Sequence, residues 1–233
     1  MTTAVQHTAT PSLSARAPFE PGQRVLLRAV GWEGYELLLR MVEGGSRHVR
    51  ITYDSGDAEL MSPSRDHGRF KSFFGRFVET LTGELNLTCE SAGSTTCRRA
   101  LSEEGFEPDE CFFLSDTFDV SGKQYSLESF PSPDLAVEIE LSQPSLDRMG
   151  LYAAFGVPEV WRFDGEALVV ERLTKAGVYE QVEFSVAFPF LKSGDVARWV
   201  ALGHAMRMTP WARQLAAWVR QEFARHAHPE DTE

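Results

Sequence analysis

The sequence predicts an α/β (α+β) domain, because strand and helix patterns alternate along the chain. Three observations carry that prediction. Phe70, Phe73, Phe74, Phe77, Val78 and Leu81 fall at helical spacing, an amphipathic pattern that needs a core to face. Leu135, Val137, Ile139 and Leu141 alternate with Asp134, Ala136, Glu138 and Glu140, as in a strand with one buried face. Asp164-Gly165 separates two apolar runs, which is a strong hairpin signal.

Taken in order, residues 1–24 are expected to form a disordered arm, rich in Thr, Ala and Ser and without the apolar stretch of a signal peptide. Trp32, Tyr35, Leu38, Leu39 and Val42 keep helical spacing until Gly44-Gly45 ends the run. Val49, Ile51 and Tyr53 alternate, residues 54–57 turn, and Ala58 and Leu60 follow, so a hairpin is predicted. Asp66 opens the Phe-rich helix. Residues 85–99 read as two short strands around Ala92-Gly93, 110–114 as a buried strand, and 115–130 as a polar loop. Ser145 is the expected cap of a short helix that Gly156 stops. Beyond the Asp-Gly hairpin, Lys175-Ala176-Gly177 turns into another strand. Two helices follow, near 194–206 and 211–223, the second striped by Trp211, Leu215, Trp218, Val219 and Phe223. The expected organisation is one domain over 25–225 and a flexible tail over 226–233.

Composition limits the function. With 42% hydrophobic and 24% charged residues, the chain can fold around a core. Its 23 basic and 34 acidic residues give a net charge of −11, which repels polyanions at long range. A general nucleic-acid coating protein is thereby excluded, although a local basic or metal-filled site is not. The three cysteines include no C-x-x-C pair, so a thiolate zinc site lacks its spacing. A reducing, cytoplasmic compartment is expected. No apolar run reaches the roughly 18 residues of a membrane span, so no membrane association is expected.

The chemistry concentrates in the acids. Three carboxylates on one face of a strand, at 134, 138 and 140, repel each other and call for water or cations. Asp134 and Glu138 stand about 13 Å apart on an extended strand and cannot share an ion, whereas Glu138 and Glu140 stand about 6–7 Å apart. Asp109 lies at the mouth of the 110–114 strand. It can meet Glu138 if the two strands are neighbours, about 5 Å apart. A carboxylate pair with water in the remaining positions is how Mg²⁺ is preferentially held. Glu59 is a third candidate, and a solvent-facing acid is its simpler reading. His67, at the start of the Phe-rich helix, suits a capping or hydrogen-bonding role.

These pieces in this order resemble the Uma2 family of the restriction-endonuclease-like, PD-(D/E)xK superfamily. The resemblance lies in residues 58–64 (Ala-Glu-Leu-Met-Ser-Pro-Ser) followed by Asp66-His67-Gly68, in residues 107–113, in residues 133–139 (Pro-Asp-Leu-Ala-Val-Glu-Ile), and in residues 151–161. It spans roughly 30–192. The resemblance implies a central mixed β-sheet flanked by helices, bearing a metal-dependent nuclease site. By position it assigns Glu59, Asp109 and Glu138 as the acids that hold Mg²⁺ (or Mn²⁺), and leaves Asp134 at the periphery. The superfamily pattern has lysine two residues after the second acid, where this chain has Glu140. In Uma2-like sequences the lysine lies four residues before a tyrosine on the next helix. Here those positions are Arg148 and Tyr152, which share a helix face.

The function so implied is hydrolysis of phosphodiester bonds in DNA, with Arg148 steadying the phosphate and His67 positioning a water. Arginine cannot act as a general base, and Lys71 is the one lysine suited to substitute. A homodimer is expected by analogy with enzymes that cut two strands. The alternative is a catalytically degenerate nuclease fold serving as a binding module, favoured by Arg148 and the net charge. A carboxylate-pair glycosidase has no support beyond the acids themselves.

Overall fold

The computed structural model describes residues 20–43, 49–94, 97–99, 104–115 and 131–227. Most of the expected arm, the 116–130 part of the polar loop and the tail beyond 227 lie outside the described residues.

Two sheets form the scaffold. The first is antiparallel throughout and uses β1 (Arg24–Leu27), β2 (Arg50–Asp54), β3 (Asp57–Met61), β5 (Cys97–Arg99) and β6 (Glu104–Phe106) in the order β1-β3-β2-β6-β5. The second is mixed. It orders β11 (Tyr179–Val182), β10 (Leu168–Leu173), β9 (Glu159–Phe163), β8 (Leu135–Ile139), β7 (Glu110–Phe113) and β4 (Glu90–Ser91) as β11-β10-β9-β8-β7-β4. Only β8 and β9 run parallel, and the helix α3 (Arg148–Phe155) makes the crossover that such a pair needs. The other helices are α1 (Gly31–Glu43), α2 (Arg65–Glu84), α4 (Ser193–Ala205) and α5 (Met208–Phe223).

Alternation along β8 decides what each face of the mixed sheet carries. Leu135, Val137 and Ile139 enter the main core with Trp161 and Phe163 of β9. The Phe-rich face of α2 covers them: Phe70 and Phe74 stand edge-on to Phe163, with ring centroids 5.0 and 5.2 Å apart. Phe73, on the flank of the same face, meets Trp211 of α5 edge-on at 4.8 Å. The intervening residues, Ala136 and Glu138, face the other way, where Leu151, Tyr152 and Phe155 of α3 pack with Phe106 of β6. A third cluster sets Tyr35 and Leu39 of α1 over Ile51, Tyr53 and Ala58. Glu138 thus lies on a buried face, so its charge must find partners.

Several expectations shift by a few residues. Ser64, not Asp66, caps α2, its Oγ accepting from His67 N at 3.1 Å. Asp147, not Ser145, caps α3, its Oδ1 accepting from Gly150 N at 3.1 Å, while Ser145 N donates to Glu59. Gly156 ends α3 in the left-handed region at φ 74°, as its lack of a Cβ permits. The two strands around Ala92-Gly93 do not pair with each other. β4 joins β7 and β5 joins β6, so the turn divides the sheets instead of closing a hairpin. The arm also ends earlier than residue 24: Gly22 N donates to Ser62 O (2.6 Å), Ser62 N donates to Gln23 O (3.0 Å), and β1 continues that pairing along β3.

Glu159 lies beneath the surface at the start of β9 and is wholly buried. Its Oε1 accepts from Trp161 Nε1 at 2.6 Å and its Oε2 from Ala187 N at 2.7 Å. Burial outweighs these hydrogen bonds and raises its pKa above the ordinary 4.5. The folded state therefore holds this proton more tightly than the unfolded chain does. The resulting stability is present below pH 4.5 and is lost as pH rises through the higher folded pKa. In urea titrations across that range, Glu159→Gln should flatten the fall of the unfolding midpoint with pH. An identical slope in parent and variant would falsify the assignment. Phe74→Ala, in the centre of the main core, should cost about 3–5 kcal/mol in the same assay.

Candidate active site

Asp109 stands just before β7, opposite Glu138 of β8. The register is set by Glu110 against Val137, and Asp109 N extends it by donating to Val137 O at 3.0 Å. The Asp109 carboxylate folds back over the end of β8, where Oδ2 accepts from Ile139 N at 2.6 Å. Oδ1 receives the guanidinium of Arg50, the first residue of β2. His67 Nε2 lies 3.1 Å from the same Oδ1 without hydrogen-bond alignment, and both ring nitrogens are buried without a partner. Burial first, then the positive charges of Arg50, Arg24, Arg148 and Lys71, lower the His67 pKa to about 3. The imidazole is therefore neutral near pH 7.

Glu138 is held on one oxygen. Arg148 Nη2 and Tyr152 Oη both donate to its Oε1, as expected for residues one turn apart on α3. Arg148 also donates from Nη1 to Thr52 Oγ1 at 2.5 Å and from Nη2 to Glu107 O at 2.8 Å. Burial alone would depress its pKa, but Glu138 overrides it and holds the guanidinium above its ordinary value. Burial, reinforced by the negative charge of Glu138, raises the Tyr152 pKa, so the phenol remains a donor.

Glu59 lies on β3, opposite Thr52 of β2 and Leu26 of β1. Arg24 Nη1 donates to its Oε1 and Ser145 N to its Oε2, each at 2.5 Å. Arg24 Nε donates to Ser142 Oγ at 2.9 Å. Thr52 connects two of these acids, lying opposite Glu59 and accepting from Arg148, which holds Glu138, while Asp109 and His67 adjoin Glu138 across the β7–β8 pairing.

Asp134 and Glu140 stand apart from this group. Asp134 precedes the opposite end of β8, where Oδ2 accepts from Leu114 N at 2.7 Å. Glu140 bonds Arg162 through both oxygens (2.9 and 3.2 Å), and Arg162 reaches Glu171 at 3.3 Å. The position two residues after Glu138 is therefore a carboxylate tied to β9 and β10. Sequence reasoning missed Arg24, Arg50 and Thr52. Only the phase of Arg50, one residue before the inward-facing Ile51, could have drawn attention to it.

Each of the three acids is met by its own arginine. Among the described residues, no group of three or more His, Cys, Asp or Glu side chains is close enough to hold a metal ion. The donor types suit a divalent ion, with Asp109 Oδ1 held by Arg50 in this structure. Neighbouring ligands of an octahedral ion with bonds of about 2.1 Å stand about 3 Å apart. Asp109 Oδ1 and the unpartnered His67 Nε2 have that separation. Both hydrogen bonds to Glu138 fall on Oε1. Carboxylate oxygens and one neutral imidazole are donors that Mg²⁺ or Mn²⁺ accepts, with water completing the shell.

A mixed α/β domain with acids from neighbouring strands buried at one end, beside cations and a depressed histidine, has the character of a catalytic centre. The chain belongs to the Uma2 family, whose model, described as "Putative restriction endonuclease", matches residues 32–202. The family points to a nuclease of the restriction-endonuclease type. Among solved structures the chain is similar to "a putative nuclease belonging to DUF820" from Anabaena variabilis, at 13% identity and a TM-score of 0.41, over 72% of this chain and 90% of that one. No curated protein matches. No helix among the described residues is long and apolar enough to cross a membrane.

Arg148→Met leaves the buried Glu138 carboxylate without its counter-charge and should cost about 3–5 kcal/mol in chemical denaturation. Adding Glu138→Gln to that variant should recover a large part of the loss, because the uncompensated charge goes with it.

Proposed function

We propose that this chain is a metal-dependent endonuclease that hydrolyses phosphodiester bonds in DNA. The observation that supports this most directly is Asp109 beside Glu138 on paired strands, with the unpartnered, neutral His67 against the Asp109 carboxylate. Asp109 and Glu138 would hold Mg²⁺ or Mn²⁺, with Glu59 assisting. The ion would supply a water of lowered pKa and offset charge on the phosphate.

The protein's own side chains prepare this chemistry. Arg50, which now bonds Asp109 and Ser94, would be the cation nearest a phosphate bound beside Asp109. Arg148 is engaged by Thr52, Glu107 and Glu138, so it is a positioning residue that fixes Glu138 and does not itself grip the phosphate. Tyr152 orients the same carboxylate. His67 places a water beside Asp109. Two copies of the chain would serve the two strands of a duplex, and cysteines in the thiol form suit a reducing, cytoplasmic setting.

One feature favours the second reading, a nuclease fold kept as a binding module: the three acids are already neutralised by arginines. Plasmid nicking and Mn²⁺ titration separate the two. The parent should nick DNA with Mn²⁺ and not with EDTA, and Asp109→Asn should lose both nicking and Mn²⁺ binding. Tyr152→Phe, which touches only the ligand's partner, should weaken Mn²⁺ binding by about 10–100-fold. Undiminished Mn²⁺ binding in Asp109→Asn overturns the metal assignment. Binding of the ion with no cleavage of any DNA offered transfers support to the binding module.

A further inference from the structure

Beside Asp109, two cations converge on one neutral oxygen. Ser94 Oγ donates its only proton to Asp109 O at 3.1 Å. Its oxygen then accepts from Lys71 Nζ at 2.6 Å and from Arg50 Nη2 at 3.1 Å. The second arm of the Arg50 fork holds the Asp109 carboxylate. Lys71 pairs with an acid more loosely: Glu110 Oε2 lies 3.8 Å away, and the other Glu110 oxygen accepts from Ser91 at 3.1 Å.

The surroundings sharpen the contrast. Lys71 stands one turn after His67 on α2, so both reach the Asp109 end of the sheet from one helix face. Two cations, Arg50 and Lys71, meet here although the chain as a whole carries a charge of −11, and acids as well as cations act on Lys71. Burial lowers the His67 pKa. Burial also lowers the pKa of Lys71 itself, so an anion beside it would relieve a cost already present. The Lys71 side chain keeps 29% of its surface exposed and Arg50 keeps 12%, so the pair is open at the lysine end. A hydroxyl oxygen is a weak acceptor for two full charges. A phosphate oxygen there would form charge-assisted bonds about twice as strong.

We propose that Arg50, Lys71 and Ser94 form a phosphate-binding subsite next to Asp109. Lys71 supplies a point charge at the entrance, the Arg50 arm that now donates to Ser94 supplies a directed donor, and Ser94 stands where a phosphate oxygen enters. The identification of that phosphate as a link of a nucleic-acid backbone rests on the nuclease reading; the anion site itself does not.

The test uses the full chain in EDTA, where nothing is cleaved. Inorganic phosphate and a short DNA duplex are titrated separately by calorimetry into the parent, Lys71→Met and Lys71→Arg. The parent should bind phosphate weakly, and less tightly as salt rises. Losing one charge-assisted bond should weaken Lys71→Met by about tenfold or more, and Lys71→Arg should restore most of the affinity. Melting temperatures show that each variant is folded. If Lys71→Met weakens phosphate and duplex alike, the subsite takes a backbone phosphate. If only inorganic phosphate is affected, it takes a free or terminal phosphate. No phosphate binding by the parent, or equal binding by Lys71→Met, overturns the proposal. Phosphate binding that depends on Lys71, in a parent that never nicks DNA with Mn²⁺, keeps the subsite and removes the nuclease reading. Normal nicking with phosphate affinity indifferent to Lys71 does the reverse.

Discussion

The Arg148–Glu138 ion pair joins parts of the chain that belong to different sheets. Glu138 sits on β8, Arg148 comes from α3, and the second arm of the guanidinium ends on Thr52 of β2. Burying either charge alone would be costly, by several kcal/mol per ion even after relaxation. Because both are buried, with Tyr152 and the Glu107 carbonyl satisfying further bonds, the strands and helix are held in one relative placement. The same rule repeats at the Arg50–Asp109 and Arg24–Glu59 pairs. The sheets pack through apolar contacts elsewhere, but at this end their arrangement is ionic.

That ionic arrangement follows from a strand that serves two environments. β8 places aliphatic residues toward the Phe-rich helix and leaves Ala136 and Glu138 for the opposite face. A small residue and an acid there make room for α3 and for polar partners. The core and the candidate site are thus two faces of the same five residues. A one-residue slip in register would exchange them, so the packing of α2 also fixes where Glu138 points.

The features legible in the sequence were those encoded locally. Helical spacing revealed α2 and α5, alternation revealed β8, and a four-residue interval placed Arg148 and Tyr152 on one face. The acids 59, 109 and 138 carried ordered motifs. Their arginine partners did not, because pairing is set by distant contacts: Arg24 reaches Glu59 across 35 residues and Arg50 reaches Asp109 across 59. Arg24 lay in what read as an arm, and Arg50 read as the exposed start of a strand. β6 escaped notice because it is three residues long and centred on Gly105. A Cβ at that position would stand 2.1 Å from the Tyr35 hydroxyl, so the glycine reflects close packing and not a turn. The turn at Ala92-Gly93 was recognised, but its flanking strands find partners far away in sequence.

Ser94 lies on the short segment by which the chain leaves the mixed sheet after β4, on its way to β5 in the other sheet. Arg50 and Lys71 grip this segment from β2 and α2. One serine hydroxyl thus fastens β2 and α2 to the chain as it leaves the mixed sheet, and a ligand that took up Arg50 or Lys71 would compete with that fastening.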